Sequence, residues 1–88
     1  MRKYVVSYDL HSPGRDYSKL IEALKSYSNW CHLHESVWLI HTDQSAQQVC
    51  TYLMQFIDRN DQLFVAGWTG EASWYGLDAQ RENWVKAA

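Results

Sequence analysis

Apolar residues recur with two different spacings along this chain of 88 residues, and the two spacings follow one another in a definite order. Alternation in steps of two predicts strands over residues 3–10, 29–33, 36–41 and 62–68. Steps of three and four predict helices over residues 16–27 and from Thr42, Asp43 or Ser45 to residue 57. Each helical stretch stands between two strand-like runs, so the predicted order is β-α-β-β-α-β.

That order is the split βαβ pattern of ferredoxin-like folds. We therefore expect an α+β fold with an antiparallel sheet and both helices on one of its faces. One domain is expected over residues 1–88, with a core of residues 3–67 and a C-terminal extension of residues 68–88. The expected core consists of Leu20, Ile21, Leu24, Val49, Leu53 and Phe56.

Capping residues mark where the helices should begin. Asp16 is the expected N-cap of the first helix, and Ser45 with Gln48 fits a capping box at the second. In the extension, we expect a short strand at Trp74 and Tyr75 and a short helix over residues 78–85.

Aromatic residues are abundant, with five Trp and six Tyr, and they are typical of interfaces. The strands carry apolar side chains on both faces, so the face without helices needs a cover. Surplus apolar surface, including Trp38, Trp68 and Trp74, favours a homodimer in which a partner chain supplies that cover. An aromatic cluster in the extension is expected to form a seal, either over the sheet or against the partner chain. Its residues are Trp68, Trp74, Tyr75 and Trp84.

The charge pattern is not typical of a nucleic-acid-binding protein, because the net charge is −2 and no basic stripe is present. Two cysteines, Cys31 and Cys50, are too few for a disulfide scaffold. The sequence shows no signal peptide and no long apolar run. These features predict a cytoplasmic protein that does not enter a membrane.

Asp9 ends the first predicted strand, directly before a turn that contains Ser12, Pro13 and Gly14. One interpretation is a metal or acid/base position; the other is a carboxylate that caps the turn. A single carboxylate is a poor magnesium or manganese site, but two Asp9 side chains across a dimer axis could hold such an ion with waters. His11 could act as a general base, and Arg15 could meet a phosphate. An exposed loop histidine and a solvated helix start are the alternatives.

A second group of metal-ligand residue types follows the first helix. On a regular strand His32 and His34 share a face, with Cys31 and His41 nearby in sequence. Zinc sites usually show tighter paired spacings. A buried cysteine with partly exposed histidines is therefore the favoured interpretation.

Two short motifs resemble a known family. Tyr8-Asp9-Leu10 closes the first strand, and Leu33-His34-Glu35-Ser36-Val37-Trp38 forms the predicted hairpin. Together they resemble the small CRISPR spacer-acquisition subunit, CRISPR-associated protein two. The likeness is stronger to its SinR-like relatives, which look like Ser-Tyr-Asp-Leu, a Pro-Gly turn and Glu-Ser-x-Trp-Leu-Ile. The resemblance covers residues 3–67. His34 stands where the family usually has Gln, and Trp38 where it has Phe.

The resemblance implies a ferredoxin-like homodimer in which the Asp9 carboxylates of the two protomers face each other. Only Asp9 maps to a catalytic position, and Ser36 maps to the hairpin serine. Some members look like nucleases, and others form a structural bridge. The favoured hypothesis is a non-catalytic binding or scaffold module for a protein or nucleic-acid partner in mobile-element or phage-defence biology. The alternative is a magnesium- or manganese-dependent endonuclease or phosphodiesterase that acts through paired Asp9 carboxylates.

Overall fold

The structure, a computed structural model, describes residues 1–12, 14 and 16–88. Its strands are β1 Arg2–Asp9, β2 Asn29–His34, β3 Val37–Thr42 and β4 Gln62–Gly67. Its helices are α1 Ser18–Lys25, α2 Ala46–Leu53 and α3 Ala79–Ala87. A single 3₁₀ turn, Met54–Phe56, continues α2. Arg15 and Pro13 lie outside the described residues.

The four strands form one antiparallel sheet in the order β2-β3-β1-β4. The central strands are β3 and β1, and the edges are β2 and β4. The α+β class and the antiparallel sheet are therefore confirmed. The fold is consistent with the ferredoxin-like type, and it departs from the bare six-element pattern by the 3₁₀ turn and by α3.

The first face of the sheet packs against α1 and α2. Alternation along β1 buries Tyr4, Val6 and Tyr8 on this side, where they meet Leu24 of α1 and Leu53 of α2. Most of the predicted core is fully buried, as expected from the helical spacing. Ile21 and Phe56 are only partly buried, and they pack against this cluster.

The opposite face is covered in part by the chain's own C-terminal extension. Cys31 and Leu39 of the sheet and Val85 of α3 form a second buried cluster. The partly buried residues packed around it are Val5, Leu33, Trp68, Trp74, Leu77 and Trp84. The cover over this part of the sheet therefore comes from the same chain, which is the first of the two arrangements expected for the aromatic cluster.

Three of the sequence expectations about aromatic residues are wrong. Tyr75 is fully exposed and takes no part in the seal. Trp38 is completely buried in the first cluster, so it adds nothing to the exposed apolar surface. The expected strand at Trp74 and Tyr75 does not form, because the chain turns at Gly70 and Gly76, both with positive φ, and finds no neighbouring strand between them.

The helix starts agree with the predictions in two cases out of three. The capping box of Ser45 and Gln48 is present, and Asp78 caps α3 by accepting from the Arg81 N–H. Asp16 is not the N-cap of α1, which is Tyr17. Asp16 instead accepts from the Ser18 N–H at 2.9 Å in the turn that precedes the helix.

His32 and His34 do not share a face, contrary to the expectation for a regular strand. A register shift lies between them: His32 pairs with Trp38, whereas His34 pairs with Val37. Such a bulge interrupts the alternation of side chains. His32 consequently stacks on Trp38 with ring centroids 4.0 Å apart, and His34 is exposed away from it.

Candidate binding surface at the open end of the sheet

The extension leaves one end of the second sheet face uncovered. Strand register places Ser7 beside Val37 on one side and beside Phe64 on the other, with Asp9 opposite Gln62. These five residues are called the open sheet end below. Phe64 is 64% exposed, and Asp9 is exposed next to it in the register. Apolar and acidic groups therefore lie side by side at this end.

Asp9 is the last residue of β1, on the face opposite Tyr8. Its Oδ2 lies 3.1 Å from His11 Nε2, and the two side chains are 65% and 47% exposed. An exposed side-chain contact of this kind contributes only about 0–1 kcal/mol to stability. The structure thus brings Asp9 and His11 together, but it gives Asp9 little part in holding the fold.

The turn after β1 is held by Asp58 and Asp61, which lie between the 3₁₀ turn and β4. The Ser12 hydroxyl donates to Asp58 Oδ2 at 2.6 Å, and the His11 N–H donates to Asp61 Oδ1 at 2.7 Å. The Tyr17 hydroxyl donates to Asp61 Oδ2 at 2.8 Å. In the described contacts these two carboxylates take the capping role that had been the alternative for Asp9.

One sequence signal could have indicated this arrangement. Asp58 and Asp61 are three residues apart between a helix and a strand, and the Asp58 N–H donates to Asp61 Oδ2 at 2.7 Å. Asp residues commonly accept from nearby backbone N–H groups in such turns. Their contact with residues near position 11 has a sequence separation of 50, so the spacing alone could not reveal it.

Tyr8 joins the strand end to the hairpin from the buried side. Its hydroxyl accepts from Trp38 Nε1–H at 3.1 Å and donates to the Glu35 carbonyl oxygen at 3.2 Å. Burial raises the pKa of Tyr8 above its ordinary value. The Ser36 carbonyl oxygen accepts from the Tyr8 N–H at 3.1 Å. The predicted site residue Ser36 therefore closes the β2–β3 turn beside the open sheet end.

The histidine and cysteine group of the hairpin is dispersed by the fold. Cys31 lies in the second core cluster, and its burial raises the pKa of the thiol. His32 Nε2 is 3.0 Å from the Glu35 carbonyl oxygen, and His41 Nδ1 is 3.1 Å from Asn29. In the part of the chain that the structure describes, no group of three or more His, Cys, Asp or Glu side chains is placed to hold a metal ion.

Acidic groups predominate around the open sheet end. Asp9 and Glu35 are exposed, and Asp58 and Asp61 lie in the adjacent loop. Arg59 is exposed in that same loop. The predicted phosphate contact of Arg15 falls outside the described residues. A surface of this charge suits a partner with basic and apolar groups better than a polyanion.

The fold and this surface define a small α+β protein whose antiparallel sheet has α1 and α2 on one face and its own C-terminal extension, with α3, on part of the other. Among the residues described, no helix is long and apolar enough to cross a membrane.

A solved structure similar to it is the crystal structure of a hypothetical protein TT1823 from Thermus thermophilus, with a TM-score of 0.67. The sequences are 26% identical, and the match covers 85% of this chain and 90% of that chain. No protein-family model matches the chain, and no curated protein matches it. The comparison therefore bears on the fold.

Proposed function

We propose that this protein is a homodimeric, non-catalytic binding module whose open sheet end contacts a protein partner. The observation that carries this proposal is the exposure of Phe64, at 64%, beside the exposed carboxylate of Asp9. Phe64 adjoins the partly exposed Ala66 on the same face, and apolar surface with a polar rim is typical of an interaction site. In the described contacts Asp9 meets only His11, so its carboxylate is accessible to a partner.

The charge of this surface favours a protein partner over a nucleic acid. Asp9 and Glu35 would repel phosphates, and they would attract lysine or arginine side chains next to an apolar group that contacts Phe64. This role agrees with the scaffold function implied by the resemblance to CRISPR-associated protein two. The setting proposed with it is mobile-element or phage-defence biology.

Site-specific photo-cross-linking in the native cell tests the partner surface. Benzoylphenylalanine would replace Phe64 in one variant and Tyr75 in another. Tyr75 is the matched control, because it is fully exposed but lies outside the open sheet end. A defined adduct with a protein other than a second copy of this chain should form from position 64 and not from position 75, and Phe64→Ala should weaken binding of that protein. Equal adduct patterns from both positions would contradict the proposal.

Nucleic acid is an alternative outcome that a direct assay decides. Duplex DNA, single-stranded DNA and RNA would be titrated by fluorescence anisotropy at low salt, where electrostatic binding is strongest. The proposed protein-binding surface predicts no saturable increase in anisotropy. If a nucleic acid binds saturably and Asp9→Asn strengthens that binding, the open sheet end binds nucleic acid. The proposal of a protein partner at this end would then be wrong.

A second candidate function is a metal-dependent endonuclease or phosphodiesterase. The observation in its favour is the contact of 3.1 Å between Asp9 Oδ2 and His11 Nε2, which combines a metal-ligand type with an acid/base type at a strand end. Two Asp9 carboxylates near a dimer axis would bind magnesium or manganese, and the ion would activate water.

A cleavage assay with magnesium or manganese separates the two functions. The binding module predicts no cleavage beyond that of the Asp9→Ala variant. Asp43→Ala is the matched control, because Asp43 is an exposed carboxylate that follows β3 and lies outside the open sheet end. Metal-dependent cleavage that Asp9→Ala abolishes and Asp43→Ala retains would establish the nuclease.

A further inference from the structure

The two edges of the sheet differ in their protection against pairing with another strand. At β2 the regular ladder is broken by the bulge between His32 and His34. Arg81 of α3 also donates its Nε–H to the His32 carbonyl oxygen at 3.0 Å. Asp78 holds the Arg81 guanidinium at 3.2 Å. Bulges and covering elements are the usual means of preventing edge-to-edge association, so this edge is closed.

The β4 edge has no such protection among the described residues. Its sequence, Gln62-Leu63-Phe64-Val65-Ala66-Gly67, contains no charged residue and no proline. In the described sheet, β4 is hydrogen-bonded to β1 on one side and to no strand on the other. An uncharged, regular edge strand is a template for another strand.

The register shows which backbone groups of β4 are unpaired. The Trp68 N–H donates to the Lys3 carbonyl oxygen at 3.1 Å, so this pair is hydrogen-bonded. Hydrogen-bonded and non-hydrogen-bonded pairs alternate in an antiparallel ladder. Ala66 and Phe64 therefore bond to β1, and the backbone groups of Leu63, Val65 and Gly67 point away from the sheet. On the other side of β1, the Tyr8 N–H donates to the Ser36 carbonyl oxygen. Even-numbered residues of β1 therefore bond to β3, and odd-numbered residues bond to β4, in agreement with this assignment.

We propose that two copies of this chain pair through β4 in an antiparallel ladder, with Val65 opposite Val65 of the second copy on a two-fold axis. In this register Leu63 of each copy lies opposite Gly67 of the other, so all three outward-facing residues find partners. Phe64 lies opposite Ala66, which places a large side chain against a small one. The inference rests on the proposed homodimer and specifies its interface.

The absence of charge on β4 supports a second copy as the occupant. A two-fold axis places each side chain near its own equivalent, and like charges so placed would repel. Here the two Phe64 side chains become diagonal neighbours on the second sheet face, where cross-strand contact between aromatic rings is favourable. Each copy contributes only five residues of β4, 63–67, to this ladder, so a weak dimer is expected.

This dimer separates the two Asp9 residues. Asp9 lies three residues from Val6, which pairs with Val65 at the axis. With about 3.4 Å per residue and about 4.8 Å between strands, the two Asp9 Cα atoms lie about 25 Å apart. Two carboxylates at that distance cannot share a metal ion. The interface therefore favours the binding module over the paired-carboxylate nuclease.

Charge substitutions at Phe64 test the interface by sedimentation equilibrium up to high protein concentration. Phe64→Lys and Phe64→Glu should each weaken self-association by about tenfold or more, because like charges become diagonal neighbours. An equimolar mixture of the two variants should recover the dimer. Tyr75→Lys is the control and should dimerise like the wild type. A Phe64→Lys variant that dimerises normally would overturn the β4 interface while leaving the homodimer standing.

Amide exchange measured by NMR provides a readout that does not depend on a substitution. In the wild-type dimer the amides of Leu63, Val65 and Gly67 should be protected along with those of Phe64 and Ala66. In Phe64→Lys the first three should exchange rapidly, and Ala66, bonded to β1, should stay protected. Rapid exchange of the first three in a wild-type dimer would contradict the inference. A wild-type chain that is monomeric at all concentrations would remove the homodimer and the interface together.

Discussion

Trp84 of α3 packs its indole ring against the imidazole of His41, with the ring centroids 5.0 Å apart, and donates its Nε1–H to Asn29 Oδ1 at 2.9 Å. The amide nitrogen of Asn29 lies 3.1 Å from His41 Nδ1. That nitrogen carries donor hydrogens, so His41 Nδ1 must accept and is unprotonated. If the imidazole were protonated, its Nδ1–H and the amide N–H of Asn29 would both be donors, and no hydrogen bond could form between them. These contacts join α3 to the sheet while His41 is neutral.

The stability of the fold should decrease in mild acid. Burial, followed by the charges of Lys3 and the N-terminal amine, lowers the pKa of His41. The unfolded chain then binds more protons than the folded chain below about pH 6.5, so stability falls as the pH drops through that value. Thermal unfolding from about pH 8 to about pH 5 measures the loss. His41→Phe should lose less stability over this pH range than the wild type, whereas His34→Gln should lose as much as the wild type. An unchanged dependence of stability on pH in His41→Phe would contradict the prediction.

Leu24 should contribute strongly to the stability of the fold. It is fully buried between α1 and the sheet. Leu24→Ala should lower the free energy of unfolding by about 2–5 kcal/mol, from lost burial and the cavity left behind. Urea denaturation followed by circular dichroism measures this. Glu22→Ala, at an exposed position of the same helix, should change it by less than about 0.5 kcal/mol. A loss below about 1 kcal/mol for Leu24→Ala would argue against its burial.

Removal of the Tyr8 hydroxyl should leave the Trp38 indole N–H without its acceptor inside the core. Trp38 is completely buried, and its Nε1–H donates to Tyr8. Tyr8→Phe should therefore cost about 1–3 kcal/mol of unfolding free energy. A cycle with Trp38→Phe tests the coupling, since the double variant should lose less than the sum of the single losses. Additive losses would show that the hydrogen bond contributes nothing.

Asp61 should stabilise the turn after β1. It accepts from the His11 N–H, the Asp58 N–H and the Tyr17 hydroxyl. Asp61→Ala removes both acceptors and should cost about 1–3 kcal/mol, with faster exchange of the His11 amide. Thermal denaturation and hydrogen exchange provide the two measurements. Asp43→Ala serves as the control with an unchanged turn, and retention of slow exchange at His11 in Asp61→Ala would count against this role.

Local patterns in the sequence were sufficient for the elements and their order. Alternation along residues 3–10 correctly separated Tyr4, Val6 and Tyr8 from Asp9, because a strand turns successive side chains to opposite faces. The spacing between Ser45 and Gln48 predicted a capping box that is present. Such signals depend on residues within one turn or one strand, so the sequence carries them directly.

The tertiary structure alone decided which surfaces are free. Trp38 is buried, Tyr75 is exposed and Phe64 remains open, although all three are large aromatic residues in apolar or aromatic surroundings. Trp38 is buried in the cluster beneath α1 and α2, whereas the exposure of Phe64 and Tyr75 depends on where the extension lies. The protection of β2 by Arg81, 49 residues away from His32 in sequence, depends on the same packing. Exposure and edge pairing are set by contacts between distant segments, and no local pattern of residues encodes those contacts.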